Sequence, residues 1–183
     1  MSLIPIGVRG QVLAAGVCGV LMVMQVAVFV GYRQHHIKSV ESGMERAHIA
    51  IGKWLKGHSP LGATVAVGDT GAIGLWSQLR VIDIDGITDS HISQLPGVYP
   101  WRRDSRYVMN QAPEFLVLRT SNCRPSSQDL LFGMDQAIYS DPQFAKNYNW
   151  EGCWEFWPRY NLVLYERNQF GPVGTTSSSN TAN

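Results

Sequence analysis

The hydrophobic pattern begins with a nearly unbroken apolar run over 12–32, in which Gln25 is the one strongly polar side chain. A bilayer core requires about 20 such residues in a single helix. The polar residues that follow, Arg33 and Gln34, make a poor cleavage site for a signal peptide. The pattern therefore predicts an uncleaved single-pass transmembrane helix over 12–32, preceded by a short flank over 1–11.

After this run the apolar residues return at steps of three and four. This spacing places them on one face of a helix, with charged residues on the other. It predicts a juxtamembrane amphipathic helix over 33–57 whose apolar stripe packs on the rest of the protein. The stripe consists of Ile37, Val40, Met44, Ala47, Ile51 and Trp54.

From residue 58 the pattern changes to short apolar runs separated by turn residues. Runs of four to eight apolar residues between glycine and proline turns are typical of buried strands. We predict a small mixed or parallel-sheet α/β domain over 58–168, with about four strands and flanking helices. The segment 147–157 is predicted as an aromatic loop. The Gly-, Ser-, Thr- and Asn-rich stretch over 169–183 is predicted to be a flexible tail.

Composition favours burial against a membrane or a larger assembly. Only 16% of the residues are charged, six are Trp, and the formal net charge of +1 gives no reason to expect a nucleic-acid partner. Ala15 and Gly19 lie one helical turn apart and would let a second helix approach closely. The predicted partners are the lipid bilayer and other membrane-protein subunits.

Three carboxylates, Asp83, Asp85 and Asp89, surround Gly86. Such a cluster can perform acid–base chemistry or bind a divalent cation. It can equally tie down a turn and cap the following helix, because Asp is a favoured N-cap. We favour this structural role and predict no catalytic residue. Asp83 falls inside a predicted strand and needs a partner, either a backbone amide or an arginine.

No pattern in the chain predicts a cofactor or a metal. Gly68, Gly71 and Gly74 are spaced unlike a GxGxxG fingerprint, and no GK[ST] sequence follows them. The histidines show no helical i, i+4 pair with a matching carboxylate. We therefore expect neither a cofactor nor a metal site.

Two groups of aromatic and basic residues remain as candidate contact sites. Aromatic side chains at this density form sugar-stacking surfaces, membrane-interface belts, protein contacts or plain core. The first group is Trp101 with Arg102 and Arg103, and the second is Trp150, Trp154 and Trp157. Cys123 and Cys153 would pair in an oxidising compartment, and the alternative is two unpaired thiols.

The motifs over 49–167 resemble a known family. Gly71, Ala72, Trp76 and Ser77, then Val81-Ile82-Asp83 and Gly86-Ile87-Thr88-Asp89, resemble the C-terminal soluble domain of integral-membrane glycosyltransferases of the GT-C class. The segments 112–118 and 160–167 are similar to two later strands of that domain. The resemblance implies the α/β fold, an extracytoplasmic (periplasmic) location for the C-terminal domain, and donors that are polyprenyl-phosphate sugars.

The chain departs from that family where its chemistry resides. The family's catalytic acidic residues lie in loops among many membrane helices, whereas this sequence has one apolar span. We therefore predict a non-catalytic single-pass subunit whose domain packs against and stabilises a larger membrane complex. The alternative is a module of a split glycosyltransferase that binds saccharide or a lipid-linked sugar. The sequence leaves open whether the chain is a fragment of a larger glycosyltransferase.

Overall fold

The computed structural model describes residues 8–99 and 101–168. It divides into two compact units between Glu41 and Ser42. The predicted tail over 169–183 lies outside the described residues. The fold class predicted from the sequence is confirmed: a long apolar N-terminal helix is followed by a small mixed α/β domain.

The first unit contains most of helix α1 (Val8–Met44). This helix is long and apolar enough to cross a bilayer. Its side chains are exposed from Gln11 to Ile37, since nothing in this unit covers them. An apolar surface of this kind is stable only in a nonaqueous environment or against another protein.

Seven further helical segments and five strands of the described chain belong to the second unit. The helical segments are a π-helical segment (Glu45–Ile49), α2 (Ala50–His58), α3 (Thr70–Ser77), α4 (Ser90–Ser93), α5 (Ser105–Asn110), α6 (Gly133–Tyr139) and α7 (Pro142–Asn147), together with the end of α1. The strands are β1 (Thr64–Val67), β2 (Arg80–Asp83), β3 (Phe115–Thr120), β4 (Tyr148–Trp157) and β5 (Tyr160–Arg167).

The strands form one mixed sheet in the order β2-β1-β3-β5-β4. β1 pairs in parallel with β2 and with β3, while β5 pairs antiparallel with β3 and β4. The adjacent strands β1 and β3 are buried over nearly their whole length, as expected for central strands covered on both faces.

Helices cover both faces of the sheet. Ile51 and Leu55 of α2 and Ile73 of α3 are fully buried on one face. On the other face a second cluster combines alternate strand residues with α4 to α7; it includes Ala66, Leu116, Leu118, Val163 and Met134. Burial of a side chain of this size contributes about 1.5–3 kcal/mol, so the two apolar layers supply the main stabilisation.

The prediction of an aromatic loop over 147–157 is wrong, because this segment is strand β4 and the sheet has five strands. The alternation of inward and outward side chains along β4 is interrupted by two register irregularities, between Trp150 and Gly152 and between Glu155 and Trp157. Each β-bulge shifts the side-chain pattern by one residue. A period-two test on the sequence therefore fails across this strand.

Cys123 and Cys153, whose pairing the sequence left open, are joined by a disulfide in the structure. Their Cα atoms lie 5.5 Å apart, within the normal range for a disulfide. The bond ties the loop after β3 to the edge strand β4.

Candidate functional site

The parallel part of the sheet has a topological switch point. From the central strand β1 the chain first crosses to β2 on one side and then to β3 on the other. In open α/β sheets, ligands bind beyond the carboxyl ends of the strands at such a point. Asp69 follows β1, Asp85 follows β2, and Arg119 is the penultimate residue of β3, so this edge collects charged side chains.

Arg119 is the centre of this edge and is only 1% exposed. Its Nη1 and Nη2 donate to the two oxygens of Asp85 at 2.5 and 2.6 Å. Its Nε and Nη2 donate to Asp135 Oδ2 at 3.1 and 2.7 Å. The ring of Phe132 lies under the guanidinium at 4.1 Å. Arginine suits this position because its planar donors can bind two carboxylates in a fixed geometry.

Asp135 and Arg119 each favour the charged form of the other, and burial opposes the charged form of both. Complete burial raises the pKa of the Asp135 carboxyl to about 6, against the lowering effect of the Arg119 charge. Burial also disfavours the charged guanidinium, but Asp135 and Asp85 outweigh this and hold the pKa of Arg119 above its ordinary value. Arg119 is therefore always charged, and the cluster depends on its carboxylates to balance it.

Asp69 connects this cluster to a histidine and a tyrosine. Its Oδ2 accepts from Tyr160 Oη at 2.9 Å and lies 3.0 Å from His48 Nε2. Burial raises the pKa of Asp69, but the His48 hydrogen bond, the Arg119 charge and the Tyr160 hydrogen bond together hold it below its ordinary value. Asp69 precedes α3 at an N-cap position, yet its side chain makes no capping bond, because these partners engage it instead.

His48 is brought to Asp69 by the π-helical segment. The wider turn inserts one residue relative to an α-helix and rotates the following side chains, a feature often found at functional sites. The His48 side chain is 6% exposed, and its Nδ1 has no hydrogen-bond partner. Because a carboxylate only accepts, His48 Nε2 donates to Asp69.

Gly68 allows the chain to pass beside the guanidinium. A Cβ built on Gly68 would overlap the terminal atoms of Arg119, whereas a Cβ on Gly71 would meet nothing within 4 Å. The first glycine of the turn is therefore required by packing around Arg119, and the spacing of the glycines does not reflect a phosphate-binding loop.

A cavity of about 440 Å³ opens at this edge, and we call it the strand-end cavity. Its lining combines the polar residues described above with aromatic and aliphatic side chains: Met44, His48, Gly68, Asp69, Thr70, Gly71, Ala72, Ile87, Tyr99, Phe156, Trp157 and Tyr160. Its volume is that of a small-molecule site. Burial and the nearby Asp85 charge raise the pKa of Tyr99, and burial together with Asp69 raises the pKa of Tyr160, so both phenols stay neutral.

Of the two partners that the sequence left open for Asp83, a backbone amide or an arginine, the structure shows backbone amides. Asp83 Oδ1 accepts from the amides of Asp85 and Gly86, each at 3.0 Å, and its Oδ2 accepts from the Thr88 amide at 2.6 Å and hydroxyl at 2.9 Å. Gly86 has φ of +75°, which favours glycine in this turn. Asp83 is thus fully used in fixing the loop after β2.

Asp89 caps α4, the position that the sequence predicted. Its Oδ1 accepts from the amides of His91 and Ile92 at 3.0 Å, and its Oδ2 accepts from Tyr107 Oη at 3.0 Å. Asp85 has a different partner, the Arg119 guanidinium, which the sequence analysis did not assign to it. All three predicted carboxylates therefore have structural partners.

The predicted tryptophans do not form one surface. Trp150 packs with the cluster that contains Tyr165, and its Nε1 donates to Cys123 O at 3.0 Å. Trp154 lies on the opposite face, where its ring centroid is 6.4 Å from that of Trp54 in α2. The bulge between them causes this separation. Trp157 alone of the predicted tryptophans lines the strand-end cavity.

The first aromatic and basic group remains largely on the surface. Trp101 is 57% exposed. Arg102 Nε is 3.4 Å from the Gly97 carbonyl oxygen, and the Arg103 guanidinium lies beside Gly133. In the other unit, Ala15 and Gly19 are exposed on α1. No group of three or more His, Cys, Asp or Glu within residues 8–99 and 101–168 is arranged to hold a metal ion.

Sequence reasoning missed the three residues that carry this site: Arg119, Asp135 and His48. The sequence could have indicated the role of Arg119, because it is a lone charge at the end of an otherwise apolar strand. A buried charge of this kind needs partners. Asp135 and His48 had no such signal, because the first approaches across 16 residues of chain and the second depends on the π-helical turn.

Comparison with known proteins identifies a family. Residues 33–177 match the model of a domain of unknown function, DUF8728, and the chain belongs to that family. The match covers the end of α1, the π-helical segment, α2 and the α/β domain. No curated protein and no solved structure matches the chain.

Proposed function

We propose that this member of the DUF8728 family is a non-catalytic, single-pass membrane subunit. In this proposal α1 anchors the chain, and the α/β domain lies outside the cytoplasm, where it packs against and stabilises a larger membrane protein complex. The observation that carries the proposal is a rim of exposed apolar side chains on the α/β domain, formed by Ile87, Val98, Tyr99 and Trp101.

The four side chains of the apolar rim are all at least half exposed. Ile87 and Val98 are 69% and 75% exposed. Ile87 and Tyr99 border the same cavity, and the Trp101 amide donates to the Val98 carbonyl at 2.7 Å. Contiguous apolar patches on soluble surfaces usually mark interaction sites. Aromatic residues flanked by Arg102 and Arg103 have the composition of an interface centre.

The hydrogen-bond partners of Asp83, Asp85 and Asp89 support a non-catalytic role. Asp83 and Asp89 accept hydrogen bonds from backbone amides, and Asp85 is bound by both terminal nitrogens of Arg119. A general acid or base needs a carboxyl that can exchange its proton with substrate. Each of these three carboxylates is therefore engaged by a loop or by the guanidinium.

The extracytoplasmic location is supported by the Cys123–Cys153 disulfide. Disulfides form and persist in oxidising compartments and are rare in the cytosol. An apolar helix at this position also suits a signal sequence, but the family match begins at residue 33 and includes the end of α1. We therefore favour an anchor that stays attached to the domain.

The interface is tested by site-specific photo-cross-linking in native membranes. A photoreactive amino acid at Trp101 should give one discrete adduct with a membrane protein. The same amino acid at Leu61, a fully exposed residue outside the rim, is the matched control and should give none. Equal or absent cross-linking at both positions would contradict docking through the rim.

The alternative, a module that binds saccharide or a lipid-linked sugar, is less well supported by the geometry. It relied on several tryptophans acting together, and Trp150 and Trp154 lie on opposite faces of the sheet. Calorimetry of the full chain with oligosaccharides and with polyprenyl-phosphate sugars tests it. Saturable heat from a sugar ligand would favour this alternative over the docking subunit.

A further inference from the structure

We propose that the strand-end cavity binds a small organic ammonium ion that carries N–H donors, such as a primary amine. This binding site is additional to docking through the apolar rim, and either one can fail without the other. The cavity has the volume of a small-molecule site and lies at the switch point of the parallel strands, where α/β sheets bind ligands.

The charge of the cluster favours a cation. Asp69, Asp85 and Asp135 face one guanidinium, that of Arg119. One positive charge against three negative charges leaves an excess of two. Protonation of Asp135, or of His48 beside Asp69, would reduce this excess to one. Phosphate and carboxylate ligands would be repelled, whereas an ammonium ion would complete the balance.

Two polar atoms at the cavity lack a hydrogen-bond partner. His48 Nδ1 is buried without a hydrogen-bond partner. Asp69 Oδ1 is 3.7 Å from Arg119 Nη1, beyond hydrogen-bond distance, because both of the close donors bind Oδ2. A ligand N–H group can donate to Asp69 Oδ1, and a second one can donate to His48 Nδ1 in the neutral form of the ring. A quaternary ammonium ion has no N–H group for either atom.

The aromatic walls suit the same ligand. Tyr99, Phe156, Trp157 and Tyr160 all line the cavity. Aromatic faces attract cations through the quadrupole of the ring. A bare metal ion would instead need several oxygen ligands, and the described residues offer no group of three His, Cys, Asp or Glu that could hold one.

The experiment is calorimetric titration of the full chain in a nonionic, sugar-free detergent at pH 7.5. Ethanolamine is the probe, and tetramethylammonium, glucose and inorganic phosphate are the comparisons. We expect saturable binding of ethanolamine with a dissociation constant at or below about 1 mM. Tetramethylammonium should bind at least about tenfold more weakly, and glucose and phosphate should give no saturable heat.

Variants locate the ligand. Asp69→Asn should weaken ethanolamine binding at least about tenfold, because it removes the nearest charge. The matched control, Asp129→Asn, alters a carboxylate that binds Ser121 and Ser126 away from the cavity and should leave affinity unchanged. Tyr99→Ala should weaken binding about threefold through the lost ring. Since Tyr99 is half exposed, this variant keeps the test valid if Asp69→Asn does not fold.

A second readout follows His48 directly. Ethanolamine should shift the imidazole carbon resonance of His48, while that of the exposed His58 should stay constant. The proposal is overturned if millimolar ethanolamine gives neither saturable heat nor a His48 shift. It is also overturned if glucose, phosphate or tetramethylammonium binds as tightly as ethanolamine, or if Tyr99→Ala folds and binds ethanolamine like the parent chain.

Discussion

Replacing Arg119 by methionine should remove much of the stability of the α/β domain. The substitution keeps an unbranched side chain of similar length but deletes the charge and all of its donors. Asp85 would lose both of its guanidinium contacts, at 2.5 and 2.6 Å, and Asp135 would lose those at 2.7 and 3.1 Å. Asp85 is 4% exposed and Asp135 is fully buried, so water cannot replace these donors.

The expected magnitude follows from the cost of leaving buried charge without a partner. Removal of one member of a buried ion pair costs about 3–5 kcal/mol. A domain of this size has a total stability of about 5–15 kcal/mol. The Arg119→Met chain should therefore unfold at a clearly lower urea concentration, or fail to fold.

The assay is urea unfolding of the full chain in detergent, followed by tryptophan fluorescence. Arg80→Met is the matched control, because Arg80 is an exposed arginine in neighbouring strand β2, and its change should stay within about 0.5 kcal/mol. In an Asp135→Asn background, Arg119→Met should lower the free energy of unfolding by less, since one of the carboxylates left without a partner is absent. A penalty below about 1 kcal/mol for Arg119→Met alone would refute this reasoning.

Three further results are expected. Gly68→Ala should destabilise the domain by about 1–3 kcal/mol, because the added Cβ would overlap the Arg119 guanidinium. Gly71→Ala places its Cβ in open space and should be neutral in the same urea assay. Equal effects of the two substitutions would contradict the packing around Arg119. Loss of the Cys123–Cys153 bond, which spans 30 residues, should cost about 3–4 kcal/mol, measured as the change in urea midpoint on reduction. Folding lowers the pKa of the Asp69 carboxyl, so its contribution to the stability of the domain is present above the unfolded pKa of about 3.9 and is lost as pH falls below that value. Asp69→Asn should flatten the dependence of the melting temperature on pH between pH 5 and about 2.5. An unchanged pH dependence would be inconsistent with the lowered pKa.

The fold was largely predictable because its signals are local. The apolar run over 12–32 and the strands around Val65 and Val117 could be predicted because each apolar pattern spans neighbouring residues of the sequence. Strand β4 was missed because its two bulges break the alternation on which a strand prediction depends. A bulge is set by pairing with β5, which a single segment of sequence does not reveal.

The candidate site was predictable only in part. The roles of Asp83 and Asp89 followed from turn and capping chemistry, which involves neighbours within five residues. Asp85 requires Arg119, which lies 34 residues away, and His48 meets Asp69 across 21 residues. Contacts at such separations come from topology, so residue types and spacing alone could not assign them.

The proposal of a docking subunit is tested most directly by the composition of the particle purified from native membranes in a mild detergent. Mass measurement under native conditions should show this chain together with one or more different membrane proteins in fixed proportion. Substitution of Trp101 by serine should release it, whereas Leu61→Ser should not. Recovery of the parent chain as a lone monomer, with no other polypeptide, would contradict the account.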